Sequence, residues 1–409
     1  MNVSLQHLSQ KIQQSLSVTG SKSESNRLLL LQALFPNLVL ENLSNSDDTV
    51  TMQTALATSH GLIDIHHAGT AMRFLTAYLS IQEGKEFSLT GSQRMQERPI
   101  QILVEALGQL GADIEYEKNE GFPPLKIRGK KLKGSQVTLP AHVSSQYITA
   151  LLLIAPSLPN GLTVVLEGKI TSIPYIKMSL SLLNQIGVSS SFEGNTIKVH
   201  AASSIKDRAV RVESDWSSAS YFYSIAALSE ESEIKIESYK KESLQGDSVL
   251  QEIYRQLGVE TNFQGHSLVL SKKKNTVLPK NISLDLSNAP DIAQTIAVSC
   301  FGLGISCDLT GLHTLKIKET DRLEALNTEL SKLGAKITVT NDSLHLKSTS
   351  IIAENIAIDT YNDHRMAMAF APLALKTSIS INDAEVVSKS YPDFWADLQA
   401  MHFTVLKIS

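Results

Sequence analysis

The feature that most constrains the fold of this 409-residue chain is a repeat within its sequence. Six times, a small or polar turn opens an apolar helical segment, and a short β-type run follows. The positions that mark these helix starts are Ser23, Thr70, Ser145, Ser218, Asp291 and His364. The last five are spaced by 75, 73, 73 and 73 residues, whereas the first interval is only 47 residues, which indicates a shortened first unit. Six units in register predict a repeated α/β architecture.

Four of the units, those marked by Thr70, Ser145, Ser218 and Asp291, continue with a second helical segment that closes at a glycine. These glycines, 41, 42, 40 and 43 residues after the marker of their unit, are Gly111, Gly187, Gly258 and Gly334. Glycine in that place is typical of a left-handed helix C-cap. Apolar and polar residues then alternate around turns such as 192–195 and 341–343. This alternation predicts β-hairpins.

Composition excludes several classes of protein. Hydrophobic residues make up 42% and charged residues 19% of the chain, and the net charge is -4. A general nucleic-acid or membrane surface would need a basic excess, so neither partner is expected. The two cysteines, Cys300 and Cys307, cannot form a disulfide framework, and no signal peptide or membrane span is evident. We therefore expect a cytoplasmic protein of two or three domains.

Several of the six helix starts carry cations. A helix N-terminus exposes unpaired N–H groups and a positive dipole end, and it therefore attracts anions. The segment Gly20–Arg27 adds Lys22, the Ser23 hydroxyl and Arg27 to such a start. A simple solvated helix cap is the alternative here. For Gly69–Thr70 and Ser144–Gln146, a plain N-cap explains the sequence equally well.

Three further segments are richer in ionisable groups. Arg94 and Arg98 stand before Pro99, and 362–365 places Asp363, His364 and Arg365 ahead of a smooth apolar run. Lys318 and Arg322 are four residues apart, which predicts that they share one helical face, although Glu319 and Asp321 could neutralise them. Scattered histidines give no metal-ligand spacing, and no glycine-rich dinucleotide motif is present.

Ten motifs in order resemble the EPSP synthase family of enolpyruvyl transferases. They are GSKSESNR, AGTAMR, LTGSQRMQERP, SSQYITALL, SIPY, SSASYF, PDIAQTIA, KETDRLEAL, YNDHRMAM and KSYPDFW, which together span Gly20 to Trp395. The resemblance implies a two-domain inside-out α/β barrel with six βαβαββ units, three in each domain. It also implies that residues 1–18 and 214–409 form one domain and 19–213 the other, with the active site in the cleft between them.

The reaction implied by the resemblance transfers the enolpyruvyl group of phosphoenolpyruvate to the 5-hydroxyl of shikimate 3-phosphate and releases phosphate. This step of the shikimate pathway leads to chorismate and the aromatic amino acids. It proceeds by addition and elimination, without an organic cofactor or a metal, and a monomer is expected. Both substrates are polyanions, which accounts for cations clustered at helix starts.

The resemblance also assigns roles to individual residues. Those expected to bind shikimate 3-phosphate are Lys22, Ser23, Arg27, Ser144, Ser145, Gln146, Ser172, Asp291 and Lys318. Those expected to bind phosphoenolpyruvate are Lys22, Gly69, Arg94, Gln146, Arg322, Arg365 and Lys389. Asp291 and Lys318 resemble the acid–base pair, and Glu319 is a further catalytic candidate. Asp363, His364 and Thr70 are possible additional site residues.

Three departures and two rival functions remain open. His67 stands where the family often has Asn, Ile173 where it often has Lys, and Thr314 where some members have Asn. One rival is UDP-N-acetylglucosamine 1-carboxyvinyltransferase, which typically carries a reactive Cys in the loop that here reads 91–99; no Cys is there. The other is an inactive homologue that only binds a phosphorylated ligand, and intact Asp291, Lys318 and Glu319 argue against it.

Overall fold

The chain folds into two compact units. The computed structural model describes residues 1–7, 11–140, 144–168, 170 and 173–408. One unit, the discontinuous unit, consists of Met1–Thr19 and Glu213–Ser409. The other, the inserted unit, is Gly20–Val212.

The chain begins with two strands of the discontinuous unit and then enters the inserted unit. The two strands are β1 (Asn2–Gln6) and β2 (Lys11–Ser17). The inserted unit contains α1 (Lys22–Leu34), β3 (Leu38–Glu41), α2 (Asp47–Ala57), β4 (Gly61–Asp64), α3 (Gly69–Ser80), β5 (Glu86–Thr90), α4 (Gln93–Gln96), α5 (Gln101–Gln109), β6 (Asp113–Tyr116), β7 (Leu125–Arg128), β8 (Gln136–Pro140), α6 (Ser145–Ile154), β9 (Leu162–Glu167), α7 (Ile173–Gln185), β10 (Ser190–Glu193), β11 (Thr196–Val199) and β12 (Arg208–Arg211).

The rest of the chain completes the discontinuous unit. Its further elements are α8 (Trp216–Leu228), β13 (Glu231–Glu237), α9 (Leu250–Gln256), β14 (Glu260–Gln264), β15 (Ser267–Lys272), β16 (Asn281–Asp285), α10 (Ala293–Leu303), β17 (Ser306–Thr310), α11 (Arg322–Lys332), β18 (Lys336–Val339), β19 (Leu344–Lys347), β20 (Ile356–Ile358), α12 (His364–Phe370), β21 (Ile379–Ile381), α13 (Phe394–Ala400) and β22 (Thr404–Ile408). Short 3₁₀ turns at Gly246–Val249, Pro290–Ile292 and Ala384–Lys389 carry or precede residues of the site described below.

One strand order recurs in the four-stranded sheets. In the inserted unit the orders are β4-β5-β7-β6 and β8-β9-β11-β10, and in the discontinuous unit they are β2-β13-β15-β14, β16-β17-β19-β18 and β20-β21-β1-β22. In each of them the first two strands are parallel, and the third and fourth join antiparallel. A two-stranded parallel sheet, β12-β3, belongs to the shortened first unit. A parallel pair joined by a helix and followed by a hairpin explains the order in β4-β5-β7-β6, β8-β9-β11-β10 and β16-β17-β19-β18. In the other two sheets one strand, β2 or β1, comes from the first residues of the chain.

The first helix of a sequence repeat lies in the hydrophobic core. In α3, α6, α8 and α10 nearly every residue is buried, including the small polar ones. A helix that is apolar or small on all faces is stable only when other elements surround it. Serines and threonines on α8 and α10 satisfy each other, as in the 3.0 Å contact between Ser220 Oγ and Thr295 Oγ1. The starts of these helices therefore lie on a rigid framework.

The local predictions from the sequence agree with this architecture. The glycines that end the second helices, Gly111, Gly187, Gly258 and Gly334, have φ values of 97°, 96°, 84° and 95°, which confirms the predicted left-handed caps. The predicted hairpins are β10–β11 and β18–β19. The mixed α/β class is confirmed. Among the described residues, no helix combines the length and the apolar character needed to cross a bilayer.

Candidate functional site

A buried arginine organises the charged residues of the discontinuous unit. Arg322, the first residue of α11, donates from Nε to Asp363 Oδ2 (2.6 Å), from Nη1 to Asp291 Oδ1 (2.9 Å) and from Nη2 to Glu319 Oε2 (2.7 Å). Its side chain is 2% exposed, and that of Asp363 is fully buried. A planar guanidinium with fixed donors can hold carboxylates from separate segments in one geometry. Arg322 therefore brings together the predicted site residues Asp291, Glu319 and Asp363.

A second arginine reaches Asp291 from the next helix. Arg365 Nη2 lies 3.2 Å from Asp291 Oδ2, and Arg365 Nη1 donates to the Asp291 carbonyl at 3.0 Å. Arg365 Nη2 also donates to Ser217 Oγ at 3.3 Å, and Ser217 Oγ in turn donates to Asp247 Oδ2. Neither Ser217, although it opens the motif SSASYF, nor Asp247 was assigned a role from the sequence, because neither stands beside a cation in the chain.

Lys318 completes the surroundings of Asp291. Its Nζ lies 3.7 Å from Asp291 Oδ1, and its side chain is 28% exposed. The expectation that Lys318 and Arg322 share one helical face is wrong, because α11 begins only at Arg322 and Lys318 belongs to the preceding loop. Asp321 caps α11 by accepting from the Glu324 N–H, which ends the loop and starts the helix. The two cations meet at Asp291 rather than along a helix.

Nearby carboxylates raise the pKa of both arginines. Burial alone lowers the pKa of the Arg322 guanidinium, but the charges of Asp363, Glu319 and Asp291 outweigh it and the net pKa is raised. Burial likewise lowers the pKa of Arg365, but the combined effect of Asp291, Tyr221, Asp247 and Asp215 outweighs it and the net pKa is raised. Both side chains are therefore permanent cations, and Asp291 is the acceptor shared by Arg322, Arg365 and Lys318.

Asp247 gives the discontinuous unit a pH-dependent stability. Burial, and then the negative charge of Asp291, raises the pKa of Asp247 to about 6. Between about pH 4 and pH 6 the folded chain thus binds more protons than the unfolded chain, and this group lowers the free energy of unfolding by up to about 3 kcal/mol as pH rises through that window. Urea unfolding of wild type and Asp247→Asn at pH 4, 5, 6 and 7.5 measures the difference. The free energy of unfolding of the variant should not show this part of the decline between pH 4 and pH 6. A decline parallel to that of wild type would contradict the assignment to Asp247.

The turn that carries Asp363 and Arg365 has an unusual backbone. Tyr361 and Asn362 both have positive φ, 53° and 56°. Asp363 then caps α12 by accepting from the Arg365 N–H at 2.9 Å. Lys389 Nζ donates to the Asn362 carbonyl at 2.7 Å, so this predicted cation also contacts the turn. His364 is buried at the start of α12, with Nδ1 3.8 Å from Asp363 Oδ1.

The inserted unit holds a second group of predicted residues at the start of α1. Lys22 Nζ pairs with Asp48 Oδ2 at 3.1 Å. Arg27 is buried, and its guanidinium donates to Ser179 Oγ (2.9 Å) and to the Ser23 carbonyl (2.7 Å). Burial lowers the pKa of Arg27 to about 10. These hydrogen-bond partners of Arg27 are neutral oxygens, so its charge is available to attract an anion.

Gly69, at the start of α3, lies directly beneath an arginine. A Cβ on Gly69 would stand 2.5 Å from Arg98 Nη1, so any larger residue would force this guanidinium to shift. Arg73, one turn along α3, donates to the Gly69 and Pro99 carbonyls, at 3.2 and 3.1 Å. Burial, and then the charge of Arg98, lowers the pKa of Arg73 to about 10. Two cations converge on one helix start, which is suited to an anion.

Arg94 lies elsewhere. It is on the short helix α4, half exposed, and its Nη1 pairs with Glu97 Oε2 at 3.2 Å. Arg94 was the arginine selected from the resemblance, whereas the geometry favours Arg98, which was quoted in the same motif but given no role. In the sequence, Arg98 differs from Arg94 in standing immediately before Pro99. The Pro99 carbonyl accepts hydrogen bonds from Arg73 and from the Tyr147 hydroxyl, and these bonds fix the backbone next to Arg98.

The start of α6 contacts the start of α3. Ser144 is the N-cap and accepts from the Gln146 N–H, while Gln146 Nε2 donates to Thr70 Oγ1 at 3.2 Å. Ser145 is the first residue of α6 and is buried. Ser172 lies outside the described residues. Of the three departures, His67 is exposed and Ile173 begins α7. The third, Thr314, has a buried hydroxyl without a hydrogen-bond partner among the described residues.

Known proteins provide an independent comparison. Residues 54–398 match the family model described as EPSP synthase (3-phosphoshikimate 1-carboxyvinyltransferase). The chain belongs to the EPSP synthase family. A 3-phosphoshikimate 1-carboxyvinyltransferase of Bacteroides fragilis (strain YCH46) is 47% identical over 399 residues, which is 97% of each chain. One from Photobacterium damsela subsp. piscicida is 36% identical over 416 residues, covering 94% of this chain and 96% of the relative.

Solved structures extend the comparison to the fold. An EPSP synthase from Acinetobacter baumannii superposes with a TM-score of 0.80 at 22% identity, over 99% of this chain and 100% of that one. Membership of the EPSP synthase family agrees with the buried cations at Arg27 and beside Gly69, and with the three cations that meet at Asp291. In the described part of the chain, no set of three or more His, Cys, Asp or Glu residues is placed to hold a metal ion.

Proposed function

We propose that this chain transfers the enolpyruvyl group of phosphoenolpyruvate to the 5-hydroxyl of shikimate 3-phosphate, giving 5-enolpyruvylshikimate 3-phosphate and phosphate. The observation that carries the proposal is the meeting of Lys318, Arg322 and Arg365 at the carboxylate of Asp291. The relatives named 3-phosphoshikimate 1-carboxyvinyltransferase, at 47% and 36% identity over nearly their whole length, support it. In this role the chain is an enzyme of the shikimate pathway.

The chemistry needs a proton acceptor and a proton donor. In the addition step the 5-hydroxyl oxygen bonds to C2 of phosphoenolpyruvate, the hydroxyl proton leaves, and C3 is protonated. In the elimination step C3 loses a proton and the C2–O bond to phosphate breaks. Asp291 and Lys318, 3.7 Å apart, supply the carboxylate and the ammonium for these transfers. Glu319 lies close enough to Arg322 to orient it and is a further candidate.

The remaining residues divide between the two substrates. For shikimate 3-phosphate we propose Lys22, Ser23, Arg27, Ser144, Ser145, Gln146 and Ser172. For phosphoenolpyruvate we propose Gly69, Arg322, Arg365 and Lys389, with Lys22 and Gln146 also contributing and Arg98 taking the place first given to Arg94. Buried guanidinium groups with neutral oxygen partners, as at Arg27 and Arg73, gain most from a bound anion.

We also propose that the two compact units are the two domains of an inside-out α/β barrel, with three repeats in each. The recurring strand order supports this proposal, and so do the buried first helices. We propose further that the enzyme acts as a cytoplasmic monomer without an organic cofactor. Both cysteines are free and buried, which suits a reducing compartment.

One assay decides between this function and its nearest rival. Purified chain is mixed with phosphoenolpyruvate and either shikimate 3-phosphate or UDP-N-acetylglucosamine, and phosphate release is followed. Release only with shikimate 3-phosphate is expected. Release with the nucleotide sugar instead would overturn the proposal. The rival's reactive Cys has no counterpart here, because 91–99 contains no Cys and both Cys300 and Cys307 are buried. No release with either acceptor would favour the inactive homologue.

Gly69→Ala should weaken the binding of phosphoenolpyruvate more than that of shikimate 3-phosphate. The new Cβ would stand 2.5 Å from Arg98 Nη1, so the guanidinium must move away from the helix start. Loss of one charge-assisted hydrogen bond corresponds to about a 10- to 100-fold rise in KM for phosphoenolpyruvate. Steady-state kinetics with each substrate varied in turn measures it. Gly108→Ala, where a Cβ meets nothing within 4 Å, is the matched control. Unchanged kinetics in Gly69→Ala would contradict the role of Arg98.

A further inference from the structure

The segment 359–365, a turn that continues into the first two residues of α12, connects several of the cations assigned to phosphoenolpyruvate. Arg365 belongs to it, Arg322 binds its Asp363, and Lys389 Nζ binds its Asn362 carbonyl. Two successive residues of the turn, Tyr361 and Asn362, have positive φ. Asn tolerates that conformation, but a bulky residue such as Tyr361 rarely adopts it unless surrounding contacts hold it there.

A buried glutamate provides these contacts at the other end of the turn. Glu329, on α11, is fully buried, and its Oε1 accepts from the Tyr361 hydroxyl at 2.6 Å. Its Oε2 accepts from the Asp359 N–H at 3.1 Å and pairs with Lys332 Nζ at 2.8 Å. Lys332 continues to Asp359 Oδ2 at 2.7 Å. The carboxylate of Glu329 thus fixes both the backbone and the side chain of the turn.

One helix therefore holds the turn at two points. Arg322 and Glu329 are seven residues apart on α11, which places them two turns apart on the same face. Arg322 grips Asp363 at the site, and Glu329 grips Asp359 and Tyr361 away from it. With both contacts in place, the positive-φ pair has little freedom to relax, and the guanidinium of Arg365 stays directed at Asp291.

We infer that the contact between Glu329 and Tyr361, the Glu329–Tyr361 clamp, is a positioning device that sets the affinity for phosphoenolpyruvate. This inference rests on the proposed function, since it takes the substrate of Arg322, Arg365 and Lys389 from there. Among the residues assigned to shikimate 3-phosphate, Asp291 is contacted by Arg322 and Arg365, whereas those on α1 and α6, such as Arg27 and Ser145, have hydrogen bonds that do not involve this turn. Loosening the clamp therefore affects the two substrates unequally.

The test removes a single hydroxyl. In Tyr361→Phe, Glu329 Oε1 loses its donor and the turn loses its side-chain anchor, and KM for phosphoenolpyruvate should rise about tenfold, as expected for one lost hydrogen bond to a charged group. KM for shikimate 3-phosphate should stay within about twofold. Tyr223→Phe is the control, because it removes another partly buried tyrosine hydroxyl contact of the same unit, to Thr261 Oγ1 at 2.8 Å. It should leave both KM values unchanged.

Glu329→Gln provides a second route to the same result. An amide at position 329 binds Asp359 and Tyr361 more weakly than the carboxylate does, so KM for phosphoenolpyruvate should rise again. Because both residues act through one contact, the double variant should be little worse than the worse single variant. Unchanged KM values with lowered melting temperatures, an equal rise of both KM values, or independent effects in the double variant would overturn the clamp. A wild-type chain that fails to turn over the substrate pair would instead refute the proposed function on which the clamp rests.

Discussion

Asp291→Asn is expected to lower kcat by about 10²- to 10⁴-fold, the contribution of a positioned acid or base. The amide cannot exchange a proton with substrate. It also removes the charge shared by Lys318, Arg322 and Arg365. Arg322 keeps Asp363 and Glu319, whereas Arg365 loses its ion pair and keeps only its hydrogen bonds to the carbonyl of residue 291 and to Ser217 Oγ, so the variant should fold with reduced stability. Phosphate release at saturating concentrations of both substrates measures kcat, and thermal unfolding monitors the fold.

The control for this variant is another aspartate of the discontinuous unit. Asp308 lies on the outer face of β17, about half exposed, with Oδ1 2.7 Å from His345 Nδ1. Asp308→Asn makes the same chemical change away from the site and should leave kcat unaltered. An Asp291→Asn enzyme whose kcat stays within about threefold of wild type would remove Asp291 from the acid–base pair.

Asp363→Ala is expected to have the largest effect on stability, a loss of about 3–5 kcal/mol in the free energy of unfolding. Asp363 is fully buried and holds Arg322 Nε at 2.6 Å, so its removal leaves part of a buried positive charge uncompensated. It also caps α12, since its Oδ1 accepts from the Arg365 N–H. Urea unfolding monitored by circular dichroism measures the loss.

A second helix cap separates the two effects. Asp321 caps α11 through the Glu324 N–H at 3.2 Å, but its side chain is 37% exposed. Asp321→Ala therefore removes a cap without burying a charge, and it should cost about 1 kcal/mol. Equal losses in the two variants would show that the contact between Asp363 and Arg322 adds nothing beyond capping.

Local signals in the sequence predicted much of the fold. The helix starts marked by Thr70, Ser145 and His364 lie within the first residues of α3, α6 and α12. Caps and hairpins are specified by residues close together in the chain, and for this reason glycine spacing and alternating polarity located them. The pairing of β1 with β21 and β22 joins strands from opposite ends of the chain, and no local pattern specifies it.

The candidate site was predictable only in part, for the same physical reason. The motifs identified Asp291, Lys318 and Arg322, but the loop conformation that separates Lys318 from α11 depends on the Asp321 cap and on Asp291. Arg94 and Arg98 belong to one motif, and the contact that distinguishes Arg98, with Gly69, joins residues 29 positions apart in the chain. The Glu329–Tyr361 clamp joins residues 32 positions apart, so the sequence carried no sign of it.

The central claim is that the chain transfers an enolpyruvyl group, breaking the C2–O bond of phosphoenolpyruvate and not a P–O bond. Phosphoenolpyruvate labelled with ¹⁸O at the bridging oxygen tests it most directly. Wild-type chain turning over this substrate with shikimate 3-phosphate should place the label in the released phosphate, and mass spectrometry should find none in the enol ether. Label retained on the three-carbon product, with phosphate transferred or hydrolysed away, would contradict the account.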